Sequence, residues 1–180
     1  QRQMCIRDRD IQELTEEEWN TVRKAVEEAL QHVVDFRKQE GAALEKKFTE
    51  KIDNIERLLK SIETYEKERV TKIRERITEA LEKSLSIDYD KNRLEQELIY
   101  YIEKLDINEE KQRLSNHLKY FRETMAGGHG QGKKLGFIAQ EMGREINTTG
   151  SKSNHAEMQN IVVQMKDELE QIKEQVLNVM

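Results

Sequence analysis

The sequence contains no proline and a single cysteine, Cys5, among its 180 residues. Proline breaks a helix by removing a backbone donor and crowding the preceding turn, so its absence leaves very long helices open. One cysteine excludes an internal disulfide and a cysteine-rich zinc site. Aromatic residues make up 6% and hydrophobic residues 36% of the chain, too little apolar material for a large globular core at this length. No apolar run approaches the roughly 20 residues of a membrane-spanning helix, and no secretory signal is legible. No membrane association is expected, and the expected location is the cytoplasm. Charge is what the sequence has in abundance, at 37% of residues, in a composition rich in Glu, Lys, Gln and Leu with helical periodicity.

That charge is unevenly spread. Between Lys111 and Lys152 eight basic residues stand against Glu123, Glu141 and Glu145, a net +5 inside a chain whose total is -5, which leaves -10 elsewhere. A basic segment within an acidic protein can hold phosphates that the whole molecule would repel, although a solvated charged face has the same composition.

Residues 1–14 open with QRQMCIRDR, which does not fit the helical pattern of the remaining chain and is expected to be a non-native or disordered leader. Thr15 and Glu18 are spaced as a capping box, with Leu14 and Trp19 as a hydrophobic staple. Apolar residues then recur at helical spacing through Trp19, Val22, Val26, Ala29, Val33 and Phe36. Gly41 marks a kink or short turn. A second stripe runs through Leu44, Phe48, Ile52, Ile55, Leu59 and Ile62, then Val70, Ile73, Ile77 and Leu81, interrupted where Glu66 falls on the seam. Such a stripe needs an antiparallel helix of the same chain or another subunit to cover it.

Ser84 to Lys91 reads as a linker. Beyond it come a helix carrying Leu94, Leu98, Ile102 and Leu105, a restart capped by Asp106 with Glu109, and the stripe Leu114, Leu118, Phe121 and Met125. A glycine-rich loop runs from Ala126 to Lys133, then a helix from Lys134 to Asn147 and a polar connector from Thr148 to Ser153. The last helix begins with Asn154 as cap and Glu157 closing the box. The expected fold is all-α: long amphipathic, coiled-coil-like helices, with an arm over residues 15–89 and a C-terminal helical domain over 90–180.

The run Gly127-Gly128-His129-Gly130-Gln131-Gly132-Lys133-Lys134 nearly spells a phosphate-binding loop. Lys134 stands where a metal-binding Ser or Thr is required, however, and helix rather than strand precedes it. It is a helix–helix loop with Lys133 and Lys134 available to phosphate. Glu110 and His117 fall at the border of the Leu114 stripe, and Glu141 and Glu145 at the border of the next one. Charged groups there lose solvation and need a counter-charge or a metal; an ordinary ion pair, such as Glu141 with Arg113, serves equally. Glu110 and His117 lie two turns apart, roughly 10 Å along the axis, too far to share one ion, whereas Glu141 and Glu145 are one turn apart. A His-plus-carboxylate set suits Mn²⁺ or Mg²⁺ better than structural zinc.

Asn92-Arg93-Leu94-Glu95-Gln96-Glu97, the run Asp106 to Glu110 with Arg113, Leu114 and His117, and above all Leu135 to Ser153 (LGFIAQEMGREINTTGSKS) resemble the signature runs of the YicC/YloC family of endoribonucleases. Glu168 to Asn178 is similar to its closing helix, and Phe36 to Gly41 with Leu44 to its "R-x-x-EG-x-x-L" run. Gly136 stands where the family usually has Asp, and Gly143 where Asn is common. The resemblance implies an oligomeric, hexameric enzyme that encloses RNA and cuts it with a divalent metal, and a chain that lacks the family's N-terminal domain. On that basis Glu141, Glu145 and His117 are expected to hold Mn²⁺ or Mg²⁺ and, with Glu110 orienting Arg113 or acting behind it, to form the catalytic set. Arg93, Arg113, Lys133, Lys134, Arg144, Asn147, Ser151 and Lys152 are expected to bind RNA. The alternative is a non-catalytic coiled-coil adaptor in RNA turnover that binds RNA or RNA-degradation enzymes.

Overall fold

The computed structural model describes residues 15–84, 91–128 and 130–179. The leader with Leu14, residues 85–90 of the expected linker, His129, and the side chains of Val70 and Leu81 lie outside the described residues. Among those described, the chain forms α1 (Glu16–Ser84), α2 (Lys91–Lys104), α3 (Asn108–Met125), α4 (Gly132–Lys152) and α5 (Ala156–Val176), and no strand. The all-α expectation holds.

Helix α1 starts where the capping box places it. The Thr15 amide donates to Glu18 Oε2 at 2.9 Å, and the Glu18 amide donates to Thr15 Oγ1 at 3.3 Å. Each satisfies a group that the first turn leaves without an intrahelical partner. Gly41 makes no turn: α1 runs through it, and a β-carbon there would meet nothing within 4 Å.

The chain divides between Ala42 and Ala43 into two units. In the first, every described residue is exposed, including Trp19, Val22, Val26, Val33 and Phe36 of the first stripe. In the second, the stripe Phe48, Ile52, Ile55, Leu59 and Ile62 is buried in one cluster with Leu114, Leu118 and Phe121 of α3, Ile138, Met142 and Ile146 of α4, and Met158, Met165 and Leu169 of α5. The same chain supplies the cover.

Ion pairs fix the register of this four-helix core. Arg122 of α3 reaches Asp53 and Glu56 of α1 at 2.6 and 2.7 Å, and Lys111 reaches Glu66 at 2.8 Å, so the charge that interrupts the α1 seam meets a lysine. Lys51 of α1 meets Glu168 within α5, and Lys72 meets His155 at its N-cap. Both pairings are antiparallel, as are α3 with α4 and α4 with α5, the up-and-down order that short connections favour. Helix α2 stands apart in character: Leu98 is buried, but Ile99, Tyr100, Tyr101 and Ile102 are exposed.

Helix boundaries differ from expectation at several points, and α4 starts at Gly132 rather than Lys134. Helix α3 has Ile107 rather than Asp106 at its N-cap, with no side-chain cap bond; the Asp106 carboxylate instead accepts from the Asn108 side-chain amide at 2.8 Å. Helix α5 has His155 rather than Asn154 at its N-cap, again without a side-chain cap. The supposed connector Thr148 to Ser153 continues α4 to Lys152, with Thr149 and Gly150 buried. Packing explains the last case. Gly132, Gly136, Gly143 and Gly150 line the side of α4 that faces Val179, Val176, Leu169 and Val162 respectively. A β-carbon at Gly150 would lie 2.9 Å from Val162 Cγ1, so this glycine lets two helices approach rather than ending one.

Candidate nucleic-acid interface

The site predicted from sequence concentrates on the seam between α3 and α4. The connection between them turns through Gly128 and Gly130 at φ of 94° and 77°, a left-handed conformation that favours glycine. The two helices therefore return antiparallel, and Tyr120, His117 and Arg113 of α3 come to face the side of α4 that carries Lys134, Glu141 and Glu145. Contacts at both ends establish this. Lys134 Nζ lies 4.7 Å from the centre of the Tyr120 ring, and Arg113 lies 4.0 Å from Glu145.

Arg113 is paired along its own helix with Glu109, one turn earlier. Glu109, not Glu110, orients it. Glu110 is buried, with a side chain 6% exposed, and binds Lys152 Nζ at 2.8 Å. Lys152 also donates to the Asp106 carbonyl at 3.0 Å. These bonds tie the end of α4 to the start of α3, so Lys152 is built into the scaffold. Glu110 Oε2 is buried without a hydrogen-bond partner among the described residues, which makes the remaining lysine contact matter more.

Glu145 is buried at 8% exposure, while Glu141 is half-buried and paired with Arg144 at 2.8 Å. His117 is half-buried on the same seam. Lys133, Arg144, Asn147 and Ser151 lie on the exposed face of α4, and the Ser151 hydroxyl donates to the Thr148 carbonyl at 2.9 Å. Arg93 is exposed on α2, outside the α3–α4 pair.

The expected metal set fits this arrangement poorly. Glu141 and Glu145 each face an arginine, Glu110 faces a lysine, and the described residues contain no group of three or more His, Cys, Asp or Glu side chains able to hold an ion. Carboxylates already matched by cations have little electrostatic need of a metal. The seam as arranged offers cations, an imidazole and exposed rings.

Two of those rings were missed in the sequence, Tyr120 and Phe137, which are 44% and 58% exposed. The signal was present: Tyr120 follows His117 by three residues and Arg113 by seven, and Phe137 follows Lys134 by three. Both spacings put aromatic and basic groups on neighbouring parts of one helix face.

Residues 62–180 match the family model described as "Endoribonuclease YicC-like, C-terminal". A protein of Clostridioides difficile (strain 630) named "Probable endoribonuclease YicC" is 37% identical over 176 residues, 94% of this chain and 59% of that protein. A protein of Haemophilus influenzae (strain ATCC 51907 / DSM 11121 / KW20 / Rd) with the same name is 37% identical over 105 residues, 58% of this chain and 36% of that protein. The chain thus spans less than two thirds of either relative.

Proposed function

The chain belongs to the YicC-like endoribonuclease family, and from that premise we propose that it is part of an RNA-cleaving protein whose RNA-facing surface includes the α3–α4 seam. The observation that carries this reading is the family match over residues 62–180, which contains the whole seam. Arg113, Lys133, Lys134 and Arg144 supply the charge that positions phosphates, with the arginines suited to bidentate contact. His117 is the group on the seam best suited to move a proton, because a neutral imidazole carries a donor and an acceptor nitrogen on one ring. Glu145, buried beside Arg113, holds that arginine in place. Dependence on Mn²⁺ or Mg²⁺ is proposed for the complete protein as a property to be tested, with no step assigned to the ion. Association with further copies, as a hexamer in the complete protein, is proposed on the same family premise.

The matched carboxylates favour a second reading, a non-catalytic RNA-binding adaptor, since cation-paired glutamates are poor ligands. Cleavage separates the two. The purified complete protein should cut a hairpin RNA with Mn²⁺ present and stop with EDTA. His117→Ala should slow cutting at least tenfold while leaving RNA affinity within about twofold, in line with the usual contribution of a proton-transfer group. RNA binding without any cutting under these conditions would leave the adaptor reading in possession.

A further inference from the structure

We propose that Tyr120 and Phe137 form a stacking platform for an unpaired nucleobase of RNA, at the loop end of the α3–α4 seam; this rests on the RNA-binding reading above. The two helices bury their other large apolar groups at this end, Leu118 and Phe121 on α3 and Leu135 and Ile138 on α4. Tyr120 and Phe137 are left exposed on the outer side of the same turns. The rings do not stand alone. Lys134 lies 4.7 Å from the Tyr120 ring centre, Phe137 is one turn further along α4, and Lys119 and Lys133 are exposed neighbours in sequence.

A nucleotide is the ligand that presents both matching features at once. Its base offers a π-face to a ring, and its phosphate offers an anion to an ammonium group. The core of an obligate interface with another protein chain is a continuous apolar area wider than two rings. The two rings are instead bordered by Lys119, Glu123, Lys133 and Lys134. Bases inside a duplex are already stacked on one another, so exposed rings select loops, bulges or single strands.

The test compares binding of this chain to a labelled short oligouridylate and to an abasic ribose-phosphate oligomer of equal length. The Tyr120→Ala, Phe137→Ala double variant should lose roughly five- to 150-fold in affinity for the oligouridylate, the range expected for one stacked base. Its affinity for the abasic oligomer and its salt dependence should be unchanged, because no cation has been removed. In a Trp19→Phe background, Phe137→Trp should retain binding and show tryptophan quenching on oligouridylate alone. A double variant with native circular dichroism and undiminished oligouridylate affinity overturns the platform, as does an equal loss on both oligomers. A change in particle mass with unchanged oligouridylate affinity assigns the rings to a protein contact and also overturns it. If the native chain binds neither oligomer, the RNA-binding reading itself fails and the platform with it.

Discussion

Glycine shows how one residue type takes different meanings along this chain. Gly41 lies in α1 with open space around its missing side chain. Alanine there should stabilise the helix by about 1 kcal/mol, because it removes backbone freedom from the unfolded chain without meeting a neighbour. Gly136 is similar, since its β-carbon would rest 3.5 Å from Val176 Cγ1 in ordinary contact. Gly150 is the opposite case. Its β-carbon would press on Val162, and overpacking of about 1–3 kcal/mol should outweigh the propensity gain. Urea unfolding of the three alanine variants should therefore raise the midpoint for Gly136, lower it for Gly150, and leave any gain at Gly41 visible chiefly as slower amide exchange around it. The Glu110–Lys152 pair gives a second prediction at this scale. Lys152→Ala strands a buried carboxylate and should cost about 3 kcal/mol, whereas Lys133→Ala, at an exposed position, should change the urea midpoint negligibly.

Among the elements, α3 is held to α1 by a cation between two carboxylates. Hydrogen bonds from Lys60 first and Arg122 second hold the Glu56 carboxyl below its usual range. A depressed carboxyl contributes stability that is fully present above its unfolded pKa, near 4.3 for glutamate, and is lost as pH falls through the lower folded value. Stability should therefore decline on acidification below about pH 4.5. Arg122→Gln should flatten that decline and, at neutral pH, cost about 1 kcal/mol, as expected of pairs with partly exposed members. Thermal melts at several pH values check both statements; a native-like acid limb in the variant would mean that other carboxylates control it. The stripe of α1 was legible because apolar residues at 3-4 spacing identify a helix wherever it packs. Its partners were not, because periodicity describes one face and says nothing of what lies opposite. The end of α4 misled for a related reason. Thr-Thr-Gly reads locally as a helix stop, but the close approach of α5 turns the glycine into a contact and carries the helix onward.

For the molecule as a whole, the net -5 makes nucleic-acid binding a matter of where charge is placed. Replacing Lys133, Lys134 and Arg144 by Gln should weaken RNA binding and reduce the slope of log affinity against log salt by up to about three, depending on how many touch phosphate. Lys152 is left out of that set because its loss would be felt as unfolding. An unchanged slope would move the phosphate contacts elsewhere, Arg93 of α2 being the first place to look.

Composition and spacing were enough to establish an all-helical chain, the start of α1 at Thr15, the basic segment between Lys111 and Lys152, and the family resemblance, because each depends on residues close in sequence or on the residue types themselves. Tertiary structure decided what those residues face. It matched Glu110 with Lys152 and Arg122 with Asp53 and Glu56, and it turned Gly136, Gly143 and Gly150 of α4 toward α5. It also left Tyr120 and Phe137 in solvent beside lysines. Whether a carboxylate binds a metal or an arginine depends on which cation the fold brings within a few ångströms, since the attraction falls with distance and strengthens as water is excluded. A one-dimensional pattern records the charge of each residue but not that separation.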